Sequence, residues 1–179
     1  MLSCQETILL VIDVQERLFP FIDAKKEFRK NLQTLTRGAR ILEIPIILTE
    51  QVPQKIGKTI PEISKELPHI SPFKKITFSC CGDSAIRQKI KSLKRKSILL
   101  SGIETHVCVY QTAADLIDLK YDVHVVADAV SSRSARNKTI ALERMKEISV
   151  STTGTEMVLC ELLKKAEGKK FKEILNLIK

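Results

Sequence analysis

Residues 97–119, SILLSGIETHVCVYQTAADLIDL, join an apolar run, a turn that contains a glycine, and a segment with helical spacing. The run at 97–100 has the length and composition of a buried strand. After the turn, apolar residues recur with the spacing of one helix face, at Val107, Tyr110, Ala114 and Ile117. This stretch predicts a strand, a turn and a helix, and the rest of the chain can be placed around them.

A cysteine lies in the first turn of the predicted helix. Cys108 is off the apolar stripe and in line with Gln111 and Asp115, so packing does not explain it. Unpaired N–H groups and the macrodipole at a helix N-terminus favour a thiolate over a thiol. Cys108 is therefore a candidate nucleophile that we expect to rest as a thiolate. A structural cysteine is the alternative, because free cysteine often behaves as a small buried hydrophobe.

Segments with strand composition alternate with segments of helical spacing along the whole chain. The predicted strands span residues 7–13, 44–49, 73–78, 97–101, 123–127 and 149–152. One helix is predicted over 25–42, and the later helices start at Asp83, at Ser134, at a capping box of Thr153 and Glu156, and after Gly168. Such alternation predicts an α/β fold, with a six-stranded parallel sheet in a doubly wound, three-layer α/β/α arrangement. The 179 residues fit one domain over 1–179.

Composition excludes several functional classes. The chain carries a net charge of +9, but its densest basic cluster, at 89–96, lies opposite the apolar positions of an amphipathic helix. Aromatic residues that could stack on bases are scarce, so no nucleic-acid partner is predicted. Five cysteines without C-x-x-C spacing argue against a disulfide framework and a zinc site. We expect a cytoplasmic protein without a membrane segment, because Asp13 interrupts the N-terminal apolar run.

The predicted strand ends bring chemical groups to one edge of the sheet, where doubly wound folds bind ligands. Asp13 ends the first strand, which should lie beside the fourth, so its carboxylate could accept the Cys108 proton. Either Lys74 or Lys75 could bring a cation to this edge, and composition leaves both open. Residues 52–71 contain three prolines and a glycine among polar residues, and we expect them to cross the same edge as a loop.

Other catalytic schemes have weaker support. None of the three histidines, His69, His106 and His124, is placed to pair with Cys108. No short Asp/His ligand run indicates a metal site, so none is predicted. The turn at 101–106 has a single glycine and lacks the phosphate-binding patterns, so no cofactor is predicted either.

Three segments together resemble the isochorismatase-like cysteine hydrolases: LLVIDVQERLF at 9–19, a lysine ahead of TFS at 77–79, and SGIETHVCVYQTAADL at 101–116. The similarity covers nearly the whole chain. Two further segments, TEQVPQ at 49–54 and VHVVADAVSSRS at 123–134, are similar to the isochorismatase-domain-containing subgroup in particular.

The resemblance implies a triad of Asp13, Lys75 and Cys108, with Lys75 chosen by its spacing from ITFS and Lys74 as the fallback. It also implies a non-proline cis peptide between Ile103 and Glu104, which directs the N–H groups of Glu104 and Cys108 at a substrate oxyanion. The metal ligands of the nicotinamidase branch are missing after the second strand. Isochorismatase itself lacks the nucleophilic cysteine, so a chain with Cys108 resembles the amide-hydrolysing members.

These observations predict a hydrolase that cleaves a small amide or related C–N or ester bond through a cysteine thioester. We expect a small-molecule substrate and, from the resemblance, a homo-oligomer. The expected pocket-lining residues, chosen for nearness to the strand ends, are Phe19, Gln51, Phe78 and Thr105. The alternative is a catalytically idle member that serves as an interaction or redox-sensing protein.

Overall fold

The computed structural model describes residues 1–179 and contains one sheet of six parallel strands. The strands are β1 (Thr7–Ile12), β2 (Ile46–Gln51), β3 (Phe73–Lys75), β4 (Ser97–Ile103), β5 (Asp122–Ser131) and β6 (Ser151–Thr153). Their order across the sheet is β3-β2-β1-β4-β5-β6. The chain thus winds outward from β1 in one direction and from β4 in the other, which confirms the doubly wound fold.

The chain forms eight α-helices, and seven of them contribute to the two cores that cover the faces of the sheet. The eight helices are α1 (Lys25–Ile41), α2 (Pro53–Ile56), α3 (Pro61–Ser64), α4 (Ser84–Ser92), α5 (Tyr110–Asp118), α6 (Ala135–Glu147), α7 (Thr155–Leu163) and α8 (Gly168–Ile178). One core packs α1, α3, α7 and α8 against the sheet, and the other packs α4, α5 and α6. The three-layer prediction is therefore confirmed. None of the helices has the length and apolar composition needed to cross a membrane.

The central strand β1 explains why the sheet forms as it does. All six of its residues are buried, because successive side chains point to opposite faces and both faces carry helices. Leu9 and Val11 belong to one core, whereas Ile8 and Leu10 belong to the other. β1 pairs with β2 on one side and β4 on the other, so the strand order reverses at β1 and β4. Ligand crevices in such sheets open at this position.

The predicted strand bounds need correction at several places, among them β2, which spans Ile46–Gln51 rather than 44–49, and β4, which ends at Ile103 rather than at 101. β3 ends at Lys75 rather than at 78, because the backbone then turns so that the Thr77 and Phe78 carbonyls accept hydrogen bonds from Lys75 Nζ. β5 runs from Asp122 to Ser131 through a register shift against β4, and is longer than predicted. β6 covers Ser151–Thr153, two residues later than the predicted start. The loop expected over 52–71 contains the short helices α2 and α3.

The predicted buried face of the Cys108 helix is wrong. Val107, Tyr110, Ala114 and Ile117 are only partly buried, and the buried positions are Cys108, Val109, Thr112, Ala113 and Leu116. The helix starts with a π-helical turn, Thr105–Val109, in which the Val109 N–H donates to the Glu104 carbonyl at 3.3 Å. A π turn holds one more residue than an α turn, which rotates the following side chains and brings Cys108 inward.

Of the three predicted helix caps, the structure confirms one and corrects two. The Asp83 cap of α4 is confirmed, since its Oδ1 accepts from the N–H groups of Ala85 and Ile86. The capping box at the start of α7 does not form. Asp128 Oδ1 instead accepts from both the N–H and the hydroxyl of Thr155, each at 2.8 Å. Ser134 precedes α6, but its side chain makes no capping hydrogen bond.

Candidate active site

A buried ion pair lies at the carboxyl ends of β1 and β3. Lys75 Nζ is 2.6 Å from Asp13 Oδ2, and both side chains are 0% exposed. The other carboxylate oxygen of Asp13 accepts from the Thr49 hydroxyl at 2.7 Å. Asp13 has a positive φ of 51°, which turns the chain sharply as it leaves β1. The structure thus brings together two of the sequence-predicted triad residues, while Lys74 is exposed.

The Lys75 ammonium is held by more acceptors than it has hydrogens. Besides Asp13, it donates to Gln51 Oε1 at 2.7 Å and to the Phe78 and Thr77 carbonyls at 3.0 and 3.1 Å. Burial would lower the pKa of Lys75, but the Asp13 carboxylate outweighs that effect and holds this pKa above its ordinary value. Lys75 is therefore a fixed cation with no hydrogen left for a further partner.

Cys108 lies beside this pair in the π-helical turn and is 7% exposed. Burial raises the pKa of the Cys108 thiol, the Asp13 carboxylate raises it further, and Lys75 offsets this only in part. The expected resting thiolate is therefore wrong. Burial and the Asp13 charge are the effects that dominate here. Cys108 is a thiol whose proton faces a carboxylate.

The turn before Cys108 is shaped by close contact between β4 and β1. Gly102 has φ +110°, and a Cβ there would lie 2.1 Å from the Ile12 carbonyl oxygen. One residue further on, the Ile103–Glu104 peptide bond is cis. Glu104 is largely buried, and its Oε1 accepts from Arg133 Nε at 2.8 Å and from the Arg133 N–H at 3.3 Å. The turn is thus held against β1 on one side and against the segment after β5 on the other.

The four expected pocket-lining residues have different environments. Phe19 is partly buried and packs near Phe28, with ring centroids 6.4 Å apart. Phe78 is 55% exposed at the edge of the site. Gln51 does not offer its amide to a pocket, because Oε1 binds Lys75 and Nε2 donates to the Ile76 carbonyl at 2.8 Å. Thr105 is fully buried, and its hydroxyl has no hydrogen-bond partner.

Several residues that shape the site were not predicted from the sequence. Gln15 links two segments, because its amide donates to the Gln51 and Gly57 carbonyls and accepts from the Gln51 N–H. Cys80 is fully buried near the triad candidates, where burial and the Asp13 charge raise its pKa to about 11. The Glu104–Arg133 pair joins residues 29 positions apart. The only sequence signal for these residues is that each lies within or next to a segment that carries the family resemblance.

The site offers no arrangement for a metal ion. No group of three or more His, Cys, Asp or Glu side chains in the chain is placed to hold one. What the arrangement offers is a thiol, a neighbouring carboxylate, and a fixed cation 2.6 Å from that carboxylate. Together with the fold, this defines a doubly wound α/β protein with a buried Asp–Lys–Cys cluster at its switch point.

Comparisons with known proteins give the family. The isochorismatase domain matches residues 7–157. The secreted isochorismatase effector Isc1 of Phytophthora sojae (strain P6497) is 39% identical over 97% of this chain and 84% of its own length. Isochorismatase domain-containing protein 2 of Danio rerio is 39% identical over 99% of this chain and 89% of its own length. Among solved structures, the MAR1 ribonuclease from Caenorhabditis elegans superimposes on this chain with a TM-score of 0.93 and 36% sequence identity. The match covers 99% of this chain and 91% of the ribonuclease chain. The chain belongs to the isochorismatase family and has its hydrolase fold.

Proposed function

We propose that this chain is a cysteine hydrolase that cleaves a small amide, or a related C–N or ester bond, through a thioester on Cys108. The buried Lys75–Asp13 pair beside the Cys108 thiol is the observation that carries the proposal. A surface ion pair would have little consequence, but a carboxylate withdrawn from water next to a thiol is placed for proton transfer. The near-complete burial of all three side chains supports a small substrate.

In the first half of the reaction, the thiol proton moves to Asp13 as the Cys108 sulfur attacks the substrate carbonyl carbon. The electron pair of the carbonyl moves to its oxygen, and the Glu104 and Cys108 N–H groups are the proposed donors to that oxyanion. When the tetrahedral intermediate collapses, the carbon–nitrogen bond breaks and the leaving nitrogen takes the proton from Asp13. Because burial and the Asp13 charge raise the pKa of the thiol, the proposal has the proton leave the sulfur as the sulfur attacks.

In the second half, Asp13 removes a proton from water, and the resulting hydroxide attacks the thioester carbonyl. Collapse releases the acid, and the proton on Asp13 returns to the Cys108 sulfur. Lys75 stays protonated throughout, since its pKa lies above the ordinary value, and its charge stays beside Asp13 in both halves of the reaction. Protein groups and water supply every step, so the proposal includes no cofactor.

The proposal can be tested with 4-nitrophenyl acetate, a small activated ester. We expect the wild-type protein to gain one acetyl group at Cys108, seen by intact and peptide mass spectrometry, and to release nitrophenol over several turnovers. Cys108→Ala should lose both signals, and Cys160→Ala is the matched control because that thiol is exposed. If acetylation falls on other cysteines, or if Cys108→Ala turns over as fast as wild type, the mechanism is wrong.

The alternative is a catalytically idle member used for interaction or redox sensing. The raised pKa of Cys108 supports this alternative, because a buried thiol is mostly protonated at neutral pH and reacts slowly as a nucleophile. Absence of turnover on a panel of amides and esters, with intact folding, would support it. Because the Caenorhabditis elegans relative is named a ribonuclease, RNA belongs in the panel. Cys108-dependent RNA cleavage would replace the amide proposal.

The place of action and the assembly are part of the proposal. The chain has five free cysteines, which fits the reducing cytoplasm, although the Phytophthora sojae relative is named a secreted protein. Large apolar side chains are exposed near the edge of the site, at Phe21, Ile76 and Phe78, and they support self-association. Cell fractionation tests the first statement, and light scattering on the purified protein tests the second.

A further inference from the structure

We propose that Arg133 is a positioning residue that neutralises the Glu104 carboxylate beside the oxyanion site. This inference rests on the proposed function. Glu104 contributes the backbone N–H that would bind the oxyanion, and the same residue carries a side-chain negative charge that is 10% exposed. A bare carboxylate at that position would repel the negative charge that develops on the substrate oxygen.

The geometry shows how the charge is compensated. Arg133 Nε and the Arg133 backbone N–H both donate to the same oxygen, Glu104 Oε1, at 2.8 and 3.3 Å. Two donors from one residue fix the carboxylate relative to the segment after β5, which also fixes the turn that carries the Glu104 N–H. Arg133 is the only cation within ion-pair distance of Glu104. Loss of this one side chain therefore leaves the carboxylate without a counter-charge.

A purely structural role is a weaker explanation. The Arg133 side chain is 63% exposed, and pairs with one exposed partner contribute about 0–1 kcal/mol to stability. The pair nevertheless lies at the residue whose N–H would stabilise the transition state. Arg133 therefore matters more for the reaction than for folding, and its effect depends on the charge of Glu104.

Two reactions of the same thiol separate these roles. Acylation of Cys108 by 4-nitrophenyl acetate forms an oxyanion, whereas alkylation by iodoacetamide is a displacement at carbon that forms none. In Arg133→Met we expect acylation to slow by about tenfold or more and alkylation to change by less than about twofold. Arg136→Met is the matched control, since Arg136 is an exposed arginine three residues away that forms no ion pair, and it should change neither rate.

Removal of the carboxylate should rescue the defect. We expect Glu104→Gln/Arg133→Met to acylate at least about threefold faster than Arg133→Met, because the uncompensated carboxylate is gone. If both reactions slow together in Arg133→Met, or if the second substitution gives no rescue, the inference is overturned. A wild-type protein that is not acylated at Cys108 overturns the proposed function instead.

A thermal-unfolding cycle on the same variants tests charge compensation without catalysis. Arg133→Met should lower the Tm by a few degrees, about what the loss of 1 kcal/mol gives, and Glu104→Gln should recover most of that loss in the double variant. Strictly additive effects on the Tm would show that the two residues are not coupled, and would overturn the inference whatever the chemistry does.

Discussion

The Lys75 ammonium lies 2.6 Å from the Asp13 carboxylate at the junction of three strands, and water reaches neither group. Each charge is compensated mainly by the other, so removal of one leaves an uncompensated charge in the interior. We expect Lys75→Met to lower the free energy of unfolding by about 3–5 kcal/mol. Chemical denaturation with urea measures this change.

The neighbouring lysine provides a matched control. Lys74 is exposed, and Lys74→Met should stay within about 0.5 kcal/mol of wild type. Because the pKa of Lys75 is raised above its ordinary 10.5, its contribution to stability is complete at neutral pH and is lost as the pH rises beyond 10.5. Equal losses for the two variants would contradict this assignment of the buried cation.

Asp13 should affect alkylation and acylation of Cys108 in opposite directions. Its carboxylate raises the pKa of the thiol, so Asp13→Asn should lower that pKa and speed alkylation by iodoacetamide at pH 8. The same substitution removes the proton acceptor and should reduce acylation by 4-nitrophenyl acetate on the order of 10²-fold or more. Rates followed by mass spectrometry separate the two reactions.

In the wild-type protein, the cysteines should also alkylate in a definite order. At pH 7 we expect the buried Cys108 thiol to alkylate more slowly than the exposed Cys160, because burial raises its pKa. Faster alkylation of Cys108 than of Cys160 would indicate a preformed thiolate, and the concerted step would then be wrong.

Gly102 should be intolerant of any side chain. A Cβ would lie 2.1 Å from the Ile12 carbonyl oxygen, and the φ of +110° is unfavourable for other residues. We expect Gly102→Ala to cost more than about 3 kcal/mol, since β4 must move away from β1. Gly168→Ala isolates the backbone effect, because Gly168 has φ +87° with nothing within 4 Å. Its expected cost is about 1–2 kcal/mol, and similar costs for both would exclude the clash.

Gln51 should act through Lys75 rather than through substrate. Its amide accepts from Lys75 Nζ and donates to the Ile76 carbonyl, so Gln51→Met leaves the buried ammonium and that carbonyl with one partner fewer each. We expect a loss of about 1–3 kcal/mol in unfolding free energy and slower acylation of Cys108. The exposed Gln54, replaced in Gln54→Met, is the control. A change in KM for 4-nitrophenyl acetate without a change in kcat or stability would instead show that Gln51 lines the pocket and contacts the substrate.

The start of α7 should depend on a residue far away in the sequence. Asp128 Oδ1 accepts two hydrogen bonds from Thr155, and Asp128→Ala should cost about 1 kcal/mol, as the loss of an N-cap does. The exposed Glu156 takes no part, so Glu156→Ala should change stability by less than about 0.5 kcal/mol. The reverse order of effects would support the local capping box.

Local patterns in the sequence determined the elements and their order. The unbroken apolar run of β1 and the apolar stripe of α1 depend on side-chain periodicity alone, and both appear where they were predicted. The alternation of strands and helices then determined a parallel sheet, because only crossover helices can join parallel strands. That topology also predicted that β1 and β4 are adjacent strands, and therefore that Asp13 and Cys108 lie at the same edge of the sheet.

Only the tertiary structure decided how the residues at that edge interact. Adjacent residues in a strand point to opposite faces, so Lys74 and Lys75 could not both face the site, and the structure buries Lys75, which pairs with Gln51 of β2. The protonation of Cys108 depends on burial and on a charge 95 positions away in the chain, which no local pattern contains. The π turn and the Glu104–Arg133 pair likewise arise from contacts between distant segments. Periodicity sets the elements, whereas burial and long-range charge set the chemistry.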